Sequence, residues 1–272
     1  QTAKTQMPEF KLANNQPVLV DKSGKDEMLL ALTNFSAFAG IREINNRNNI
    51  LKSIDDLVLA EVIKQKDFKG ATLELFKITP NDVTKINKKF ISNLAKIDIL
   101  DAEKITFQKI FEKHPNDPGL LVCILMQFHE LKTGESLHVS PGVPHSYVSG
   151  LAIEVMTNSD NVLRMGLTTK PVNVAAALAV VTEAKCEKKL GDKQAGIRRY
   201  SPQHAPFQLI ELHNAEIELG MGKYDVVLNL DGQLNVSVGG QNYVLEKAQA
   251  VLLSSLESKV IVKGHALVAR SV

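Results

Sequence analysis

The spacing of apolar residues changes twice along this chain, and those two changes constrain its fold more than any other sequence feature. From Asn45 to about Leu131, Leu, Ile and Phe recur every three or four positions among Lys, Asp and Glu, the pattern of helices that bury one face. Before Asn45, the run Glu27–Ile44 is mostly apolar without clean alternation, as in buried strands. After Leu131, Gly and Pro turns fall about every 8–12 positions between short apolar segments, which signals an all-β sandwich or barrel. The middle region is therefore expected to be an insert of four or five short helices. Thr79-Pro80-Asn81-Asp82 supplies a helix start, with proline and an acidic residue where a first turn favours them. Asp101 opens the next helix in the same way, and His114–Gly119 is a turn before LLVCILMQFHEL, which is apolar enough to be one buried helix.

The C-terminal 70 residues are the most regular part. FQLIELH, AEIELG, YDVVLNLDGQLNVSV, GGQNYVLEKAQAVLLSS and SKVIVKGHALVARSV read as strands, with tight turns at Asp231-Gly232 and Gly239-Gly240. Their order suits a jelly-roll or cupin barrel. Such barrels can hold a metal through clustered His and Glu. Here the strands offer only His213 and His265, far apart in sequence and without a Glu at cupin spacing, so this barrel reads as structural. VNVAAALAVVTEA (Val172–Ala184) reads as a short helix, followed by a charged, Gly-containing connector. The fold class is mainly β with a helical insert: two cupin-like jelly-roll barrels plus a small α-helical domain. The expected division is a central part from 1–44 and 131–188, the helical insert 45–130, and the C-terminal barrel 189–272.

Composition narrows the function classes. Of 272 residues, 44% are hydrophobic and 23% charged, which excludes collagen-like, disordered and disulfide-scaffold chains. Lys and Arg total 32 against 30 Asp and Glu, too balanced to point to nucleic acid or an anionic membrane. Two cysteines, Cys123 in an apolar run and Cys186 in a polar one, favour a reducing cytoplasm. The longest apolar runs, Leu120–Met126 and Val174–Val181, fall below the roughly 18 residues of a spanning helix, so a soluble protein is expected. The N-terminus carries no basic patch and apolar core of a secretory leader. Because the first residue is Gln1, the chain is expected to be a processed, trimmed or partial product.

Candidate chemistry concentrates in Gly134–Lys170. His145 and Tyr147 alternate on one strand and so share a face, Glu154 follows on a further strand, and Arg164 and Lys170 lie beyond. Arg and Lys favour a phosphate or carboxylate. A Glu near a His can serve a divalent metal or act as a general base.

PHSYVSGLAIEVMTNSDNVLRMGLTTK resembles the signature of the type I mannose-6-phosphate isomerases, which runs P-H-A-Y…G…E-V-M-A-x-S-D-N-V-x-R-A-G-L-T-x-K. The resemblance extends upstream to KDEMLLALTNFSAFAGIRE, similar to the family's H-K-P-E-M-L-x-A-L-T-x-F…G-F-R-E, and downstream to the chain's final residues. It implies a cupin-superfamily protein that interconverts mannose 6-phosphate and fructose 6-phosphate by metal-assisted proton transfer through an enediol. The implied cofactor is zinc. Glu27 and His145 match two of its ligands, while Lys25, Tyr147 and Lys170 match substrate-binding positions. Glu154 and Arg164 match catalytic ones. The implied partner is a hexose phosphate, with no nucleic acid or membrane involved.

The departures are equally specific. The family's Q-V-H-P ligand motif is absent from the 272 residues, and Gly24-Lys25-Asp26-Glu27 keeps only the Lys and Glu of H-K-P-E. The chain is thus expected to lack the usual N-terminal segment and, alone, to bind zinc poorly, since a zinc site needs three or four protein ligands. Two readings stay open: an isomerase, or a non-catalytic cupin that binds a sugar phosphate or is structural. Each candidate also has a plainer reading. His145 could be a turn histidine, Glu27 a helix-start carboxylate, and Arg164 with Lys170 a surface ion pair. Tyr147 and Glu154 could be ordinary strand residues. Asp160 and Asn161 read as shaping the turn that aims Arg164, and His138 reads as a solvent-facing strand histidine.

Overall fold

The computed structural model describes residues 19, 21, 23–52, 63–64, 66–219, 224–253 and 260–272. Two strands, β1 (Glu27–Ala31) and β2 (Phe35–Ile41), lead into a helical layer. Its described helices are α1 (Ile44–Leu51), α2 (Phe68–Leu75), α3 (Pro80–Asn93), α4 (Asp101–Lys113) and α5 (Gly119–Ile124). Strands β3 (Met126–Leu131), β4 (Glu135–Val139), β5 (His145–Ser149) and β6 (Ala152–Met156) follow, then helix α6 (Val174–Val180). The chain ends in β7 (Glu187–Leu190), β8 (Asp192–Gln194), β9 (Ile197–Tyr200), β10 (Phe207–Leu219), β11 (Asp225–Val238), β12 (Gln241–Leu245), β13 (Ala250–Leu253) and β14 (Val260–Ser271).

The strands form three sheets. The first has the order β6-β1-β4-β7, and a second, β3-β2-β5, faces it across a core of Leu29, Ala37, Ala39, Leu131, Leu137 and Val139. The third runs β12-β11-β14-β10-β9-β8, with β13 also paired to β11. Met28 and Leu30, on the other face of β1, pack against Leu209 and Leu267 of this third sheet. That apolar seam joins the two β bodies.

The helical layer packs on the outside of β2 and β3. Phe38 of β2 meets Phe107 of α4 and Phe128 of β3, at ring-centroid distances of 5.0 and 5.4 Å. The cap read from the sequence is present: Thr79 accepts from the Asp82 N–H, and Pro80 occupies the first turn. Across the base of this layer, Arg42 Nη2 donates to the Glu103 carboxylate, with both side chains only 5% exposed, while the buried Arg42 Nε has no hydrogen-bond partner among the described residues.

The apolar run Leu120–Leu131, expected as one helix, divides. Residues 119–124 are helical and wholly buried, but Met126–Leu131 alternates in burial and pairs antiparallel with β2. Its partner supplies a ladder of hydrogen bonds that a lone helix could not better. The expected turn at Asp231-Gly232 is also absent as a hairpin. It lies inside β11, where the register against β14 shifts on either side of Asp231, so the pair forms a bulge rather than a reversal. Gly239-Gly240 is the true turn, with φ of +57° and +82°, a conformation that suits glycine.

A second bulge matters more. On β10, Leu212 pairs with Ala266 but Ala215 pairs with Gly264, so β10 carries one extra residue there. The parity of the strand flips across it. Ile210 and Leu212 before the bulge, and Ile217 and Leu219 after it, all enter one core.

Candidate functional site

A cavity of about 530 Å³ opens between the first two sheets, the loop 140–144, the segment 161–166 and helix α6. It brings together Lys25, Glu27, His145, Tyr147, Glu154 and Arg164. Six of the seven residues singled out from the sequence thus face one space. Lys170 is exposed and is not among the lining residues.

Strand pairing explains the convergence. β1 pairs with β6, which sets Leu29 opposite Glu154 and leaves Glu27 two residues along. β5 pairs with β2, which presents His145 and Tyr147 on one side, their rings 5.2 Å apart. Facing sheets then place His145 Nε2 3.2 Å from Glu27 Oε2. His145 Nδ1 lies 3.0 Å from the Val143 carbonyl, to which it donates when Nε2 carries the lone pair. Lys25 Nζ contacts the other Glu27 oxygen at 2.7 Å.

The charges respond to this crowding. Burial alone would raise the Glu27 carboxyl, but His145 and then Lys25 outweigh it and hold it down at about 2. Burial likewise opposes the charged imidazole of His145, yet the hydrogen bond and charge of Glu27 carry its pKa upward. Glu154 is raised, by desolvation first and then by the neighbouring Glu27 charge. Tyr147 is also pushed up, chiefly by burial and then by both carboxylates. A low carboxylate beside a raised one is the arrangement that separates an anchor from a proton carrier. Arg164 makes no ion pair among the described residues, so its charge is available to an anion entering the cavity.

Two donors, Glu27 and His145, fit a metal. A tetrahedral zinc ion with bonds of about 2.0–2.1 Å sets its donors roughly 3.3 Å apart, close to the 3.2 Å seen here. The Val143 carbonyl supplies the outer hydrogen bond that such a histidine requires. Among the described residues these two donors make up half of a four-ligand set.

The Ser159-Asp160-Asn161 segment does something the sequence did not reveal. Asn161 Nδ2 donates to the Asp21 carbonyl, to Asp21 Oδ1 and to the Ser23 carbonyl at 3.0–3.1 Å, while Ser159 Oγ donates to Asp21 Oδ2. The motif holds the strand entering Lys25 and Glu27. Behind it, Asp117 accepts from the Gly119 and Leu167 N–H groups, linking the helical layer to the segment that carries Arg164. Gly166 sits between them at φ +137°, where a Cβ would come 2.6 Å from Asp117 Oδ1. His138, expected at the solvent, is instead buried, with Nε2 3.2 Å from Asp26 Oδ1. Strand β7 covers the position beside it, so exposure inferred from alternation failed there.

A further group lies outside the cavity. Glu211, His213 and His265 bring their ligating atoms within 4.8 Å of one another, and the two imidazoles stack at 5.2 Å. The expectation that His213 and His265 are far apart and without a Glu at cupin spacing is therefore corrected in space, where the two meet beside Glu211. Strand pairing of β10 with β14 closes the sequence gap, and the Glu lies two residues before His213 on the same strand.

Two sheets facing across a cavity, with a Glu–His pair reaching from one sheet to the other, define a cupin-like fold with a candidate metal and anion site. No family model matches the chain. It is 29% identical to the mannose-6-phosphate isomerase of Escherichia coli K12 over 92% of its own length, and 27% identical to mannose-6-phosphate isomerase 1 of Arabidopsis thaliana over 74%. The match spans 66% of the first relative and 51% of the second, so the chain spans less than two thirds of the length of these curated relatives. Among solved structures, a Salmonella typhimurium mannose 6-phosphate isomerase bound to fructose 6-phosphate and zinc superposes with a TM-score of 0.77 at 24% identity, over 92% of this chain and 66% of that one. The resemblance read from the 134–170 region thus extends over most of the chain, and the fold is that of the phosphomannose isomerases.

Proposed function

We propose that this chain carries the substrate cavity of an aldose–ketose isomerase that interconverts mannose 6-phosphate and fructose 6-phosphate. The observation that carries the reading is the Glu27–His145 pair, its outer nitrogen fixed by Val143, facing Glu154, Tyr147 and Arg164 in one cavity. Glu27 and His145 would hold zinc, which would polarise and orient substrate oxygens when bound. Glu154, raised toward neutrality, moves the proton between C1 and C2 of the sugar. Arg164 stabilises the charge that develops on the enediol oxygen, and Lys25 with Lys170 serves the phosphate end. Tyr147 orients a sugar hydroxyl from the cavity wall. The helical layer acts as an insert at 45–130 within a central part formed by 1–44 and 131–188, which a C-terminal part at 189–272 follows. The two unpaired cysteines are compatible with a cytoplasmic setting, and no described helix is long and apolar enough to cross a membrane.

Zinc content measured together with a coupled fructose-6-phosphate assay on this polypeptide tests the reading. Turnover that depends on zinc and is lost in E154Q supports it. Sugar-phosphate binding without turnover, at full zinc occupancy, replaces it with a non-catalytic sugar-phosphate cupin.

A further inference from the structure

We propose that Glu211, His213 and His265 form a second divalent-metal site, separate from the cavity and set at the junction of the two β bodies. Glu211 and His213 stand at alternate positions of β10, and Glu211 pairs across with Leu267, two residues from His265 on β14. The β10 bulge falls at His213 and Asn214, opposite His265, and Asn214 takes a positive φ of 50° to make it. Bulges of this kind re-aim side chains. Here alternation keeps His213 on the face of Glu211, and the bulge sets His213 and Asn214 together opposite His265.

The donor geometry is that of ligands rather than of a hydrogen-bonded triad. His213 Nε2 lies 3.0 Å from Glu211 Oε2, yet this buried nitrogen has no hydrogen-bond partner among the described residues. Two lone-pair donors approaching side by side without a proton aimed between them are placed to share a cation. Adjacent donors on a tetrahedral ion sit roughly 3.3 Å apart, and with all three ligating atoms already within 4.8 Å of one another, modest side-chain rotation brings them to that spacing.

The surroundings fit as well. The Tyr200 hydroxyl lies 3.2 Å from Glu211 Oε2 and 2.7 Å from the Gly134 carbonyl, and its single proton is shared between these two acceptors. It therefore orients the carboxylate and ties it to the β3–β4 turn of the central body, the supporting role that metal-binding carboxylates require. Glu211 is 6% exposed, whereas His213 and His265 are partly open, which leaves a coordination position for water. Arg198 Nη1, 3.8 Å from the same Glu211 oxygen, is a competing cation that weakens the site without filling it. Two imidazoles and one carboxylate suit zinc, cobalt or nickel rather than calcium or magnesium.

Cobalt(II) titration of the full chain, followed by visible d–d absorption and equilibrium dialysis, tests this directly. In H145Q, which disables the cavity pair, one equivalent of cobalt is expected to remain. Adding H265Q or H213Q to that background should remove it, and R198Q should tighten it severalfold. Retention of cobalt binding in both histidine double variants overturns the proposal, as does the absence of binding in H145Q. Circular dichroism checks that the variants fold. If they do not, the imidazole resonances of H145Q alone decide: two histidines must shift on cobalt addition, and none shifting refutes the site. Because the cavity is disabled throughout, failure here leaves the isomerase reading untouched.

Discussion

Asn161 is bound to Asp21, 140 positions earlier, through its amide nitrogen, which donates to the aspartate carbonyl and Oδ1, and through its carbonyl oxygen, which accepts from the Asp21 N–H. The pair closes a loop through the first sheet and fixes the segment that delivers Lys25 and Glu27. N161A removes these bonds and leaves the Asp21 and Ser23 carbonyls to solvent. The expected cost is about 2 kcal/mol of stability. It should be accompanied by a raised KM for the sugar phosphate, because the strand end loses its anchor. Thermal melting and steady-state kinetics check both effects together.

The metal-free chain should show a stability maximum on the mildly acidic side. Glu27 is lowered from 4.5 to about 2, so its contribution is present above about 4.5 and is lost as pH falls toward 2. His145 is raised above 6.5, so its contribution is complete below that value and is lost as pH rises through its folded pKa. The window in which both hold lies between about 4.5 and 6.5. Unfolding free energy measured against pH after chelation checks this. H145A should flatten the alkaline limb and abolish most of the acid limb.

Within the cavity, Glu154 and Arg164 are separable. E154Q keeps the shape but cannot exchange a proton, so kcat should fall by about 100- to 10,000-fold with little change in KM. R164A should lower kcat by roughly 100-fold or more, as loss of one oxyanion donor does, and R164K should recover only part of it. An equal fall in both variants' substrate affinity, with kcat unchanged, would reassign both residues to binding.

The Arg42–Glu103 pair gives a prediction about folding rather than chemistry. Both groups are buried, and the raised Glu103 pKa reflects desolvation first, with Arg42 opposing it. R42A strands a buried carboxylate and should cost about 3–5 kcal/mol. Replacing both with Met and Leu should recover much of that loss. Chemical denaturation of the two variants provides the comparison.

What was legible in the sequence was whatever local chemistry decides. The Thr79 cap, the start of α4 at Asp101 and the Gly239-Gly240 turn were readable because each depends on a few adjacent residues. The cavity residues were readable because a contiguous signature carries most of them. Met126–Leu131 was not, because its strand character comes from β2, far away in the chain. Glu211 was overlooked for a similar reason: its ligating partner His265 is a neighbour only through the β10–β14 pairing. The Asn161 clasp was hidden too: Asp160 and Asn161 read as shaping the local turn that aims Arg164, whereas the partner Asp21 lies 140 positions earlier.

Asp117 belongs to the turn ahead of α5, yet one of its oxygens takes the N–H of Leu167, three residues beyond Arg164. The helical layer is therefore not a passenger on the β sheets. Grafting in a different insert, or trimming this one, would unseat the arginine even with every strand of the cavity left in place. Any force or ligand that shifts the insert has a direct mechanical line to the anion end of the site.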